Sequence, residues 1–406
     1  MIKINGYEDS SAFVEEYLQD KILKIEKNLN KMNLIEKNCF MDLFPEAFFD
    51  GKTQNIFFED LLSKNLYDIF NKYPSVKKYF EIVFFASLDI KNICKNGSDN
   101  AEKLRNQYFN RFKKYCKCNE LDYVIEEFKN TVNTSDDIES YICKYENNFV
   151  QFQKYINDTY VRGKTTNLNK KSYVFLDKIF NYERMINQND RVNIIKNLNI
   201  SVCPYCNRTY ISCYKDTFSN NNRTSADIDH FFSKKFFKLF SLSLYNFIPS
   251  CKICNSLFKM DKNMDIMYPY NDSYEDKARF SLIDSNKTVE AKDIYGWSKG
   301  KKIDIEVINN GNPLLVSQIQ REIKLFHIKE IYQIHNSFAE RILYCKNVLG
   351  KRTTEEILNC INKDLKEDEK IQMNDINKMF YGIDKNKIFQ EQKNTPLSKL
   401  IIDIIR

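Results

Sequence analysis

Turn-forming residues are scarce in this chain, with 9 glycines and 7 prolines among 406 residues. So few breakers exclude an all-β sandwich, which needs a turn signal about every 8–12 residues. Long apolar runs are missing too. The most apolar stretch, YFEIVFFASLDI (79–90), is interrupted by acids and is shorter than the roughly 20 residues a membrane-spanning helix needs. The opening residues MIKINGYEDSSAFVEEYLQ contain no apolar signal core. The sequence therefore predicts a cytoplasmic protein with no membrane segment. Histidine is rarer still, at three in the whole chain.

What is present is ordinary for a globular protein: 43% hydrophobic and 29% charged residues. The length predicts two or three domains at roughly 150 residues each. Abundant Lys, Glu, Ile and Leu with few breakers predict long helices. Twelve cysteines in a reducing compartment point away from a disulfide framework and toward metal ligands or redox centres where they are paired. Cys39, Cys94, Cys143, Cys345 and Cys360 stand alone and are expected as buried small apolar residues. Cys116 and Cys118 form a C-x-C with no second pair nearby.

The net charge is +7, and it is concentrated. Between 196 and 262 lie Lys196, Arg208, Lys215, Arg223, Lys234, Lys235, Lys238, Lys252, Lys259 and Lys262, against Asp216, Asp227, Asp229 and Asp261 alone. A local basic field of this kind suits a polyanion such as nucleic acid, as well as a simple solvated face.

Three stretches follow from the texture. Residues 1–195 read as helical: Phe13, Tyr17, Ile22, Ile25 and Leu29 form an amphipathic stripe, and similar patterns recur at 66–85 and 121–133. Loops are expected at 96–102 and 133–140. Residues 196–275 change to short β-like runs and cysteine pairs. Residues 276–406 begin with a predicted hairpin (ARFSLID and KIDIEVINN) and continue as helix, with His327 and His335 eight apart on one long helix. An apolar helix, PLSKLIIDIIR, closes the chain. The predicted fold class is mainly α with a small central α+β unit.

The central stretch holds the chemistry. Cys203 and Cys206, then Cys251 and Cys254, form C-x2-C … C-x2-C. Each two-residue gap lets both thiolates turn onto one tetrahedral ion, and four cysteines make a closed, structural zinc site. Such a site would clamp the ends of an insert, residues 207–250, that is expected to have little apolar bulk. Cys213 is expected to stay out of it. Within the clamp, SADIDHFF and LYNFIPS predict two strands and CNSLFKM a helix start. That β–β–α order collects Asp229, His230, Asn246, Asn255 and Lys259 on one side. Asp227 shares a strand face with Asp229 and is the competing ligand or a brace behind it.

This segment resembles the HNH, or ββα-metal, endonucleases, on DIDH (227–230), Asn246 in LYNFIPSC and CKICNSLFK (251–259). The resemblance covers a small part of the chain. It implies a general base at His230, a divalent metal held by Asp229 and Asn255, and a loop pinned by Asn246. Asn255 stands where many members carry histidine, which suits Mg²⁺ or Mn²⁺. Lys259, Arg208 and Lys234 are candidate phosphate ligands. The implied activity is hydrolysis of DNA to 5′-phosphate and 3′-hydroxyl ends, one strand per site, with a homo-oligomer or two nicks for a double-strand break. The arrangement is also similar to HNH effectors of bacterial antiphage systems of the Septu and retron type, which act beside an ATPase. The alternative is a zinc-stabilised nucleic-acid-binding module without catalysis.

Overall fold

The computed structural model describes residues 2–8, 11–49, 51–87, 175–284, 287–289, 301–308, 312–348, 351–366 and 369–406. The loops expected at 96–102 and 133–140, the stripe at 121–133, and Cys94, Cys116, Cys118 and Cys143 lie outside the described residues. Within them the chain is mainly α, with small antiparallel sheets.

The N-terminal part comprises α1 (Ala12–Asn30), α2 (Leu34–Leu43), the short strands β1 (Phe48–Phe49) and β2 (Lys52–Thr53), α3 (Asn55–Ser63), α4 (Leu66–Lys72) and α5 (Pro74–Ser87). It resumes with α6 (Leu176–Ile179), α7 (Tyr182–Met185) and α8 (Gln188–Leu198). The Ser11 hydroxyl accepts from the Val14 N–H and starts α1. Tyr17, Ile22, Ile25 and Leu29 of the expected stripe are buried, and Phe13 packs at its edge. Lys21 is fully buried on the same helix, yet its charge is met by Asp20 at 2.7 Å, Asp190 at 2.9 Å and the Met185 carbonyl at 2.9 Å. Asp190 also accepts from the Asn187 N–H in the capping box of α8. One carboxylate thus joins the start of α8 to the middle of α1.

In the central part, β3 (Cys213–Lys215) pairs with β4 (Asn222–Thr224), and β5 (Asp227–His230) pairs with β6 (Phe247–Ser250). Asp227 lies opposite Ser250, and His230 opposite Phe247. The chain leaves β6 at Cys251 and enters a π-helical turn, Ile253–Lys259. The insert between the cysteine pairs departs from expectation. Far from lacking apolar bulk, it buries Phe237, Leu239, Phe240, Leu242, Leu244, Phe247 and Ile248 completely. The physical reason is placement: Phe237 packs on Phe80 and Phe240 on Tyr79, both from α5, so the insert fills the core between helices.

The C-terminal part opens with a sheet of order β8-β7-β9, from β7 (Ala278–Asp284), β8 (Lys287–Thr288) and β9 (Lys302–Val307). The expected hairpin is its β7–β9 pair. Helices α9 (Pro313–Leu325), α10 (Ile328–Tyr332), α11 (Asn336–Val348), α12 (Lys351–Asn362), α13 (Met373–Tyr381), α14 (Ile388–Asn394) and α15 (Ser398–Ile405) follow. The single long helix expected to carry His327 and His335 is broken. His327 takes a left-handed conformation (φ 50°) after α9, and the turn inserts Phe326 beneath Tyr205, ring to ring at 4.5 Å. On α15, Lys399 and Asp403 form a buried pair at 2.6 Å, and Asp403 accepts the Phe280 N–H of β7 at 2.9 Å. That carboxylate satisfies a strand edge that β8 does not reach.

One connected set of buried side chains runs through all three stretches. Of the solitary cysteines, Cys39 is buried and Cys345 half-buried, but Cys360 is exposed on the solvent side of α12. No helix of the described residues is long and apolar enough to cross a membrane.

Glu322 of α9 is fully buried, and neither carboxylate oxygen has a well-formed hydrogen bond. Burial pushes its carboxyl up to about 8, with the Met267 N–H pulling weakly the other way. Between its unfolded value near 4.5 and about 8, the native state holds the extra proton, so stability falls as pH rises through this window. Glu322→Gln should flatten that fall. Urea melts are expected to show the variant more stable than the parent at pH 9, by a few kcal/mol at about 1.4 kcal/mol per pH unit, and nearly equal to it at pH 5.

Candidate metal centre and the β5–β6 unit

Four sulfurs define the centre. Cys203, Cys206, Cys251 and Cys254 are all buried, and their Sγ atoms lie within 4.8 Å of one another. A tetrahedral zinc with bonds of about 2.3 Å needs sulfurs about 3.8 Å apart, so the donor set fits that ion in both chemistry and spacing. The first pair sits in a tight turn: the Cys203 N–H donates to the Thr209 carbonyl at 2.9 Å, and the Asn207 N–H donates to the Cys203 carbonyl at 2.8 Å. Asn207 adopts φ 48°, which aims the chain back on itself. The second pair straddles the end of β6 and the first π-helical turn. Hydrogen bonds from the neighbouring thiols pull Cys206 and Cys251 down, burial raises Cys203, and bonding within the cluster raises Cys254. A divalent cation would relieve that crowding by making all four thiolates. Cys213 stands apart, half-buried with its sulfur 3.8 Å from the Val192 carbonyl.

The turn is braced by the C-terminal helices. Asn207 donates to the Gln392 carbonyl at 3.0 Å and accepts from the Lys399 N–H at 2.9 Å at the start of α15. The Tyr332 hydroxyl donates to the Cys206 carbonyl at 2.7 Å.

Beside the sulfurs, the residues singled out in the sequence divide into three groups. Asp229 and Lys259 form the first, a buried ion pair at 3.0 Å, each side chain at most 3% exposed. The Tyr205 hydroxyl donates to the other Asp229 oxygen at 2.5 Å, and Lys259 also donates to the His230 carbonyl at 2.8 Å. Strand β5, the π-helical turn and the first cysteine pair therefore meet at one carboxylate.

The second group lies toward solvent. Asp227 takes the same strand face as Asp229 and accepts from the Asn255 amide at 3.1 Å and the Ser256 hydroxyl at 3.0 Å. Asp227 and Asn255 are half-buried and Ser256 exposed. Carboxylate, amide and hydroxyl together make a hard, oxygen-bearing donor set of the kind Mg²⁺ or Mn²⁺ prefers.

His230 forms the third group, on the opposite strand face. Its ring packs edge-on against Tyr182 at 4.5 Å and Phe247 at 5.1 Å. Nε2 lies 3.0 Å from the Ser241 carbonyl. A carbonyl only accepts, so Nε2 carries the proton and the lone pair resides on Nδ1. Burial lowers the imidazole to about 3, partly offset by that carbonyl, so the ring is neutral at neutral pH. Asn246 is fully buried: its amide donates to the Phe232 and Phe240 carbonyls at 3.0 Å each and accepts from the Phe232 N–H at 2.8 Å. It closes the loop between β5 and β6.

The three cations expected at phosphate are all engaged by other groups of the chain. Lys259 holds Asp229, Arg208 donates to the Ile331 carbonyl at 2.8 Å, and Lys234 pairs with Glu183 and lies over the Tyr182 ring at 4.3 Å. Sequence reasoning missed Tyr205, Asn207, Ser241 and Ser256. Two had a signal: Tyr205 sits inside CPYC, and Asn207 follows Cys206 as Asn255 follows Cys254. Ser241 acts through its backbone, which leaves no mark in sequence.

Two outcomes are expected. Cys251→Ser should abolish stoichiometric zinc, measured by atomic emission on the purified chain, and unfold the central unit; full zinc retention would rule out the four-cysteine site. Lys259→Met should cost about 3–5 kcal/mol in urea melts by stranding the Asp229 charge, with Asp229→Asn in the same chain restoring part of the loss.

Comparison with protein-family models, with curated proteins and with solved structures gave no match.

Proposed function

We propose that the chain is a metal-dependent HNH endonuclease acting on phosphodiester bonds of DNA, with the four cysteines holding a structural zinc. The observation that carries this reading is the β5–β6–π-helical unit itself. It presents a half-buried oxygen-donor set, Asp227 with Asn255 and Ser256, on one face of β5, with a neutral histidine enclosed on the other.

The contacts support the following roles. Asp227 and Asn255 would hold Mg²⁺ or Mn²⁺, since Asp229 is already neutralised by Lys259 at 3.0 Å and a second cation there would face the ammonium. Bound there, the metal supplies Lewis-acid relief of charge on the phosphate and the leaving oxygen. As the general base that the resemblance implies, His230 would have to turn out of its enclosure by Tyr182 and Phe247 to bring Nδ1 to the attacking water, because its ring lies on the face of β5 away from Asp227 and the Ser241 carbonyl holds Nε2 at 3.0 Å. Asn246 keeps the loop carrying Ser241 at a set distance from β5. The resemblance to antiphage effectors implies an ATPase encoded alongside as a partner.

A second reading, a zinc-stabilised nucleic-acid-binding module without catalysis, is favoured by one observation: Asp229 and Lys259 form a closed structural pair.

Plasmid cleavage in Mg²⁺ or Mn²⁺ separates the two. His230→Ala should lose at least about a hundredfold in rate while zinc content stays at the parent level. Asp227→Ala should lose the response to added Mg²⁺. Parent-like cutting by His230→Ala would end the nuclease reading, and absence of cleavage by the parent in either metal, alone and with the neighbouring ATPase, would favour the binding module.

A further inference from the structure

Exposed aromatic side chains concentrate on one small element that the proposed chemistry does not use. In the β3–β4 hairpin and the turn leading to it, Phe218 is 100% exposed, Tyr210 65% and Tyr214 55%. Full exposure of a phenylalanine is costly unless something covers it, and here the backbone holds it out. Asp216 accepts from the Phe218 N–H at 3.0 Å and the Ser219 hydroxyl at 2.7 Å, and its own N–H donates to the Asn221 carbonyl at 2.8 Å. Asn220 turns the tip at φ 56°. The root is closed by the Ser225 N–H on the Ser212 carbonyl at 2.9 Å.

The hairpin has two unlike faces. Cys213 lies opposite Thr224 in the register and turns its sulfur toward Val192 of α8. Tyr214 lies opposite Arg223, and successive residues alternate faces, so this pair points outward. A phenol ring beside a guanidinium plane is a surface on which flat π-systems stack. Lys215 and Lys196 add positive charge. Burial raises the Cys213 thiol, and Thr224 and then the nearby Lys196 charge offset only part of that rise. Lys196, Lys215 and Arg223 are exposed, and no salt bridge holds them among the described residues. The single acid of the hairpin, Asp216, is occupied by its own turn.

We propose that the β3–β4 hairpin binds single-stranded nucleic acid, stacking unpaired bases on Phe218 and on the Tyr214–Arg223 face while Lys196 and Lys215 meet the phosphates. Duplexes bury their base faces, so rings that stand out singly fit strands already open, or bases lifted from a helix. Only Ser225 and Ala226 separate β4 from Asp227, so a strand gripped by the hairpin is delivered to the oxygen-donor set. This deepens the endonuclease reading and rests on a polyanion being the ligand of the central unit.

Fluorescence anisotropy of the full-length chain with a labelled 20-nucleotide oligo-dT, against a blunt duplex and without added divalent ions, tests the proposal apart from cleavage. Phe218→Ala with Tyr214→Ala should weaken oligo-dT binding at least tenfold, since both stacking platforms are removed, and duplex binding less than twofold. Arg223→Gln should weaken oligo-dT binding and reduce its salt dependence. Zinc content and melting temperature should stay at parent values, because the truncated rings are exposed. Unchanged oligo-dT affinity in the double variant would overturn the proposal and leave the hairpin as a contact for a protein partner. Weakened oligo-dT binding in that variant, with a parent that cuts no plasmid, would sustain the hairpin and sink only the nuclease.

Discussion

Four sulfur atoms within 4.8 Å of one another set the geometry of the central part. They come from two places far apart in sequence: a tight turn at 203–206, and the passage from β6 into the π-helical turn at 251–254. Because each position is buried, the cluster joins its two elements across the insert that fills the core between them. Everything of chemical interest depends on that junction. Tyr205 reaches Asp229 because it lies inside the first pair, and Asn255 reaches Asp227 because it follows the second. The C-terminal helices depend on it as well, since Asn207 starts α15 and Tyr332 binds the Cys206 carbonyl.

Buried charge does the positioning around this clamp. Asp229–Lys259, Lys21–Asp190 and Lys399–Asp403 each join elements distant in sequence or edges left open by the sheets. Buried pairs of this kind add little net stability over apolar replacements, but removing one partner is severe. Each is also completed by backbone groups: the His230 carbonyl, the Met185 carbonyl and the Phe280 N–H. Glu322 is the exception, a carboxyl enclosed without a good partner and therefore kept neutral.

Legibility from sequence followed the range of the signal. The α1 stripe, the β7–β9 pair and the closing apolar helix rest on local periodicity, and they stand in the structure where the pattern put them. The cysteine pairs were legible because two-residue spacing is a local requirement of a shared tetrahedral ion. The break at His327 was not, because it follows from Phe326 seeking Tyr205 across the fold. The weight of the insert was misjudged for the same reason: Phe237 and Phe240 are core only because α5 lies beside them.

Strand alternation explains how the candidate site divides. The sequence placed Asp229 and His230 side by side in the chain, and neighbours on a strand face opposite ways. By itself, the sequence determined the helical bulk, the paired sulfurs, the local basic charge and the order of Asp227, Asp229, His230, Asn246 and Asn255. Tertiary structure alone decided that Lys259 neutralises Asp229, that Asn255 turns to Asp227, and that aromatic rings enclose His230. Those outcomes depend on which elements meet, and distances between residues remote in sequence are set by packing, not by spacing along the chain.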